Sequence, residues 1–135
     1  MSPSTITDLF IKAINAHDVD AIHALSTEDH RFIDSMGTVF KGRDSMRVGW
    51  SHYFRMVPDY TIHVDQCLEN GPQVVLLGSA GGTYTPDGLL REEGRWSTPA
   101  AWSAIVEAEQ ISLWQIFADN EPIRRRMAEL ATQKV

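Results

Sequence analysis

The hydrophobic period of this chain changes along its length. Up to Pro58 apolar residues recur mainly at three- and four-residue spacing; from Thr61 to Phe117 they mainly alternate. Ile6, Leu9, Phe10, Ala13 and Ile14 mark one face of a first helix. Thr5 followed by Asp8 resembles a capping box at its start. Asp18 is an N-cap for a second, short helix with Val19, Ile22 and Leu25 on its apolar side. A third helix carries Met46, Trp50, Tyr53, Phe54 and Val57 as a stripe and ends at Pro58-Asp59. Between the second and third helices, His30 to Ser35 alternates, Gly37 turns the chain and Val39 to Lys41 returns as a short hairpin. A chain of helices followed by strands is α+β, not the alternating pattern of a parallel sheet.

The later segments read as long strands. Thr61 to Leu68 alternates and Asn70-Gly71-Pro72 turns. Val74 to Tyr84 holds Gly78, Gly81 and Gly82, which predict bends or bulges in a curved sheet. The next strand runs from about Leu90 to Val106, with a break expected near Gly94 or Pro99, and Ile111 to Phe117 is the last. Asn120 caps a terminal helix over about 120–131. The 135 residues fit one domain, 1–135, without repeat or linker.

Charge and special residues narrow the partners. Lys and Arg number 12 against 18 Asp and Glu, a net charge of −6, which argues against a nucleic-acid or anionic-membrane partner. Arg124, Arg125 and Arg126 point about 100° apart on a helix, so the run reads as a solvated face, with an anion site as the lesser alternative. Cys67 is the only cysteine, so neither an internal disulfide nor a cysteine zinc site can form. The five histidines show no HxH or HExxH spacing; no metal and no cofactor are expected. The first residues carry no signal-peptide pattern and no segment reaches membrane-span length, so a cytoplasmic protein is expected.

Both faces of the last two strands are apolar. Ile111, Leu113, Gln115 and Phe117 share one face; Ser112, Trp114 and Ile116 share the other; Trp102, Ala104 and Val106 alternate with Ala101, Ser103 and Ile105. Helices cover one side only, so a second subunit is the simplest cover for the other, and a homodimer through the sheet follows. Gln115 is read on the pocket side. Trp102 and Trp114 are then read as interface residues.

Residue patterns along almost the whole chain carry a resemblance. Phe10 to Asp18 (FIKAINAHD) and Asp20 to Leu25 (DAIHAL) look like the opening helices of SnoaL-like and ketosteroid-isomerase-like proteins. His30 to Gly37 (HRFIDSMG) looks like the strand that carries the isomerase's catalytic carboxylate, and Leu113 to Asp119 (LWQIFAD) like the last SnoaL-like strand. The resemblance implies the nuclear transport factor 2-like, or cystatin-like, fold: a cone-shaped, mixed and mostly antiparallel sheet wrapped around helices, with a central pocket. It places Asp34 at the isomerase's general base, Phe10 at its oxyanion tyrosine and Ala101 near its neutral, proton-donating Asp. Gln115 falls where SnoaL-type cyclases carry Asp. Without those donors the chain is not a standard steroid isomerase.

The expected function is binding of a small apolar or amphipathic molecule in the pocket, with proton transfer next to a carbonyl as the enzymatic form and Asp34 as acid or base. Phe32 shares the Asp34 strand face. Trp50 and Tyr53 belong either to the core or to the cavity wall, where Tyr53 replaces the missing oxyanion donor. Phe10, Phe32, Trp50, Tyr53 and Gln115 are the candidate ligand contacts. His30, about 13 Å from Asp34, is expected at the pocket mouth or surface. Arg95 and Trp96 are candidates for the rim. The alternatives are a non-catalytic binding or dimeric scaffold protein, and an epoxide hydrolase or dehydratase, which requires a further acid beside Asp34.

Overall fold

The computed structural model describes residues 1–133, so residues 134 and 135 of the expected domain lie outside the described residues. The described residues form α1 (Pro3–Asn15), α2 (Val19–Ala24), β1 (Ser26–Ile33), β2 (Val39–Lys41), α3 (Arg43–Met56), β3 (Thr61–Asn70), β4 (Gln73–Thr83), β5 (Arg95–Glu107), β6 (Gln110–Ala118) and α4 (Glu121–Gln133). The six strands make one open sheet in the order β2-β1-β6-β5-β4-β3. All neighbours are antiparallel except β1 and β6, which run parallel because the intervening chain crosses the sheet to start again at the far edge. The α+β, mixed and mostly antiparallel architecture read from the sequence is therefore the observed one.

Local chemistry explains most boundaries. The first helix begins earlier than the Thr5–Asp8 pattern suggests: Ser2 Oγ accepts the Thr5 N–H at 3.2 Å and Pro3 occupies the first turn, where its missing N–H costs nothing. Asp18 Oδ1 caps α2 by accepting the Ala21 N–H at 3.0 Å. Asn15, at the end of α1, both accepts the Ile62 N–H at 2.8 Å and donates to the Ile62 carbonyl at 2.9 Å, fastening the helix to β3. Gly78 sits opposite the Val64–Gln66 bulge, where a Cβ would collide with the His63 carbonyl. The expected break in the fifth strand is a 3-10 turn at Glu92–Gly94; β5 then runs unbroken through Pro99.

The helices lie on one side of the sheet: α1 packs across β3 to β6, α3 against β1 and β2, α4 against β5. This fixes which strand face is the core, and it is the opposite of the sequence assignment. Trp102 and Trp114 are each 1% exposed and belong to the main core with Ile6, Phe10, Ile14 and Phe54, so they are not interface residues. Ser103 pairs with Gln115 and Ala101 with Phe117 on the other, outward face, where Phe117 is 52% and Leu77 37% exposed. His30 is also corrected: it is fully buried, not at the surface.

Candidate functional site

A cavity of about 430 Å³ opens between the sheet and the helices. Each part of its wall follows from a local pattern. The α3 stripe supplies Met46, Trp50, Tyr53 and Met56 at helical spacing, and Gly49 lets the wall run close to the helix backbone. Alternation on β5 and β6 directs Trp102, Trp114 and Ile116 inward. Phe32 and Phe40, paired across β1 and β2, close one side, and the turn Asp34-Ser35-Met36 forms part of the rim. The first turns of α4 add Asn120, Ile123, Arg124 and Met127.

Aromatic rings brace this wall. Phe32 meets Trp50 edge-on at 5.8 Å between centroids, Trp50 stacks on Phe54 at 5.4 Å, and Trp102 stacks on Trp114 at 6.4 Å. Tyr53 and Tyr60 meet edge to face at 5.0 Å. Tyr60 is held from behind. The Tyr60 carbonyl lies 2.8 Å from His17 Nε2, and the neighbouring Asp59 accepts both the Thr83 N–H (2.6 Å) and the Thr83 hydroxyl (2.7 Å).

The polar groups on this wall are few. Neither the Tyr53 nor the Tyr60 hydroxyl has a partner among the described residues, and neither is sealed from the cavity. Burial pushes both phenols well above the ordinary tyrosine range, the Tyr60 phenol further because Tyr53 stands beside it. Both therefore remain protonated hydrogen-bond donors. Trp50 Nε1 is a further buried N–H without a partner. Asp34 is half-buried. Its Oδ1 accepts the Met36 and Thr38 N–H groups, each at 2.9 Å, and so shapes the β1–β2 turn; its Oδ2 carries no hydrogen bond among the described residues.

The candidate residues divide. Asp34, Phe32, Trp50 and Tyr53 line one cavity. Phe10 does not: it is 0% exposed, packed against Trp114 at 4.9 Å and His30 at 6.1 Å, because α1 buries Ile6, Phe10 and Ile14 against the sheet. Gln115 does not either, since its strand parity turns it outward beside Ser103. Ala101 shares that outward face, so the comparison with isomerase donor positions does not describe this wall. Arg95 and Trp96 lie off the cavity. Of the other lining residues, Tyr60 escaped the sequence reading, while Trp102, Trp114 and Ile116 are read there on the opposite face and Arg124 as part of a solvated helix face. The two tryptophans had a signal, alternation, that was assigned to the wrong side. Tyr60 had none, because it follows the helix-ending Pro58-Asp59 and belongs to no periodic run.

A family model for the SnoaL-like domain matches residues 7–120. The chain belongs to the SnoaL-like domain family. Solved structures agree in fold. A Shewanella denitrificans protein described as a SnoaL-like polyketide cyclase superposes with a TM-score of 0.81 at 15% identity, covering 94% of this chain and 97% of its own. A Catenulispora acidiphila protein with a ketosteroid isomerase-like fold, solved in complex with trimethylamine, gives 0.77 at 15% identity over 91% and 92%. An M. tuberculosis LEH-like epoxide hydrolase gives 0.75 at 14% identity over 93% and 88%. No curated protein matches the sequence significantly. Descriptions this different on one fold mean that the chemistry of this SnoaL-like domain must be argued from its own cavity. Among the described residues no cluster of three or more His, Cys, Asp or Glu is placed to hold a metal, and no helix is long and apolar enough to cross a membrane.

Proposed function

We propose that this SnoaL-like domain binds a small, mainly apolar molecule bearing a carbonyl, and that Asp34 moves a proton next to that carbonyl. The observation that carries the reading is the pair of unpartnered, protonated phenols, Tyr53 and Tyr60, on a mainly apolar wall that also holds one carboxylate. Asp34 Oδ2 takes a proton from the carbon next to the carbonyl, and the electron pair of that C–H bond becomes the enolate. The two phenols donate to the enolate oxygen in a site where such donors act strongly, each typically worth about 10²–10³-fold in rate. Return of the proton at another carbon gives isomerisation; attack of the enolate carbon on a second carbonyl gives ring closure. The epoxide-opening alternative has less support, since Asp34 is the only carboxylate among the described lining residues.

The test uses 2-tetralone, an apolar bicyclic ketone, and follows deuterium uptake at its α-carbons by NMR. Asp34→Asn is a clean variant because the amide oxygen can still accept the Met36 and Thr38 N–H groups while no longer taking a proton. Wild type should exceed the variant by about 10²–10⁴-fold, the usual contribution of a general base. Equal rates in two folded proteins would remove Asp34 from the reaction. One observation favours a purely binding protein: Oδ1 already serves the β1–β2 turn. That reading expects equal exchange rates with unchanged ligand affinity.

We also propose that the protein forms a homodimer through the outward face of the sheet. Val75, Leu77, Ala101, Ser103, Ile105, Leu113, Gln115 and Phe117 form an uncharged patch across three adjacent strands. Trp102 and Trp114, which strand alternation alone puts at the contact, line the cavity instead. Sedimentation at micromolar concentration checks this: a dimer is expected, and a monomer would refute it.

A further inference from the structure

The run Arg124-Arg125-Arg126 is divided by the fold. Arg125 Nε donates to Glu121 at 3.1 Å. Arg126 donates to the Arg95 carbonyl at 2.7 Å and to Glu129 at 3.1 Å. Arg124 is the one of the three on the cavity wall, and its guanidinium has neither a hydrogen bond nor an ion pair among the described residues. Its backbone N–H donates to the Asn120 carbonyl at 3.0 Å, which sets its position one turn into α4. Asp34 is the only opposing charge on the wall, and its Oδ1 is already neutralised in part by two backbone N–H groups. The cavity thus combines an aromatic interior with one uncommitted cation at its margin.

We propose that the ligand is an amphipathic anion whose apolar ring system lies against Trp102 and Trp114 while a carboxylate or similar anionic head is held by Arg124. This rests on the reading that the cavity binds an apolar molecule, and adds the head group. Arg124 is exposed at the cavity margin, and its planar guanidinium fork suits a two-oxygen anion. The same arrangement orients a ligand along the cavity, with the anion outside and the rings, with any carbonyl, directed toward the phenols.

Two dyes with the same ring skeleton separate the two levels of the claim. 1-Anilinonaphthalene-8-sulfonate carries an anionic head; N-phenyl-1-naphthylamine lacks it. Binding is read by fluorescence titration on wild type, Arg124→Gln and, as a control, Arg125→Gln, which alters an exposed, already paired arginine. The anionic dye should lose about tenfold or more in affinity in Arg124→Gln, the scale of a charge-assisted hydrogen bond, while the neutral dye is unchanged and Arg125→Gln alters neither. The dyes should also compete for one site. If the anionic dye weakens no more in Arg124→Gln than in Arg125→Gln while the neutral dye still binds, the head-group assignment falls and the apolar cavity stands. If the two dyes bind without competing, the assignment also falls. If neither dye binds the wild type, the binding reading itself falls.

Discussion

The inner and outer faces of β5 and β6 are composed of similarly uncharged residues, yet they end in opposite environments. Inward, Trp102 and Trp114 alternate with Ala100 and Ala104, and large beside small lets side chains from α1 and α3 interlock with the sheet. Outward, Ala101 faces Phe117, Ser103 faces Gln115 and Ile105 faces Leu113, and no helix of the described residues covers them. The same contrast separates the polar groups. Tyr53 and Tyr60 face the mainly apolar cavity, where burial keeps them protonated, while Gln115 sits on the outward face beside Ser103, whose hydroxyl accepts from Gln73 Nε2 at 3.1 Å. An apolar strand face therefore does not identify the core; the side onto which the helices pack does.

The strongest way to break this comparison is to empty the inner face. Trp102→Ala should cost about 3–5 kcal/mol of stability in urea denaturation, the range for removing a large buried aromatic. A loss no greater than that of an outer-face substitution would mean the assigned inside is not the core.

The second test reads His30, whose buried imidazole lies 6.1 Å from the Phe10 ring. The Ile111 carbonyl is 2.7 Å from Nδ1, which fixes the proton there and leaves Nε2 buried without a partner. Burial lowers the pKa from 6.5, against the smaller opposing effects of that hydrogen bond and of Asp29. Below the unfolded value the unfolded chain binds a proton that the folded chain does not. This contribution to stability is complete above about pH 6.5 and falls as the pH drops toward the folded value, with a slope of at most about 1.4 kcal/mol per pH unit. His30→Asn, whose Nδ2 stands where Nδ1 does and can still donate to the Ile111 carbonyl, should flatten that limb of a stability-versus-pH profile. An unchanged profile would show that the acid sensitivity has another source.

A smaller effect sharpens the contrast on the polar side. Tyr60→Phe should weaken binding of a carbonyl ligand such as 2-tetralone by about 0.5–1.5 kcal/mol, the net value of a neutral hydrogen bond, and leave a hydrocarbon of similar shape unaffected. Equal loss for both ligands would point to packing and not donation. The smallest change is expected on the outer face. Phe117→Glu should alter the stability of the isolated monomer by no more than about 0.5 kcal/mol while shifting sedimentation toward monomer. A large stability loss in dilute monomer would place Phe117 in the monomer's own core.

Sequence periodicity by itself determined the order of elements, because helical and extended backbones repeat their side-chain directions every 3.6 and 2 residues whatever the tertiary context. It placed Asp18 as a cap, Gly37 and Gly71 at turns, and the Met46-Trp50-Phe54 stripe on one helix face. With the family resemblance it also put Asp34, Phe32, Trp50 and Tyr53 around one space. It did not determine which side of β5 and β6 faces the helices. Alternation has two solutions related by a one-residue shift, and with both faces uncharged no local penalty distinguishes them. Only packing of α1 and α3 onto the sheet selected the side that carries Trp102 and Trp114 and turned Gln115 away. Tyr60 and Arg124 were likewise decided in three dimensions: one lies on a loop held by His17 and Asp59, and the other is the member of an arginine run whose direction from α4 meets the cavity and not a carboxylate.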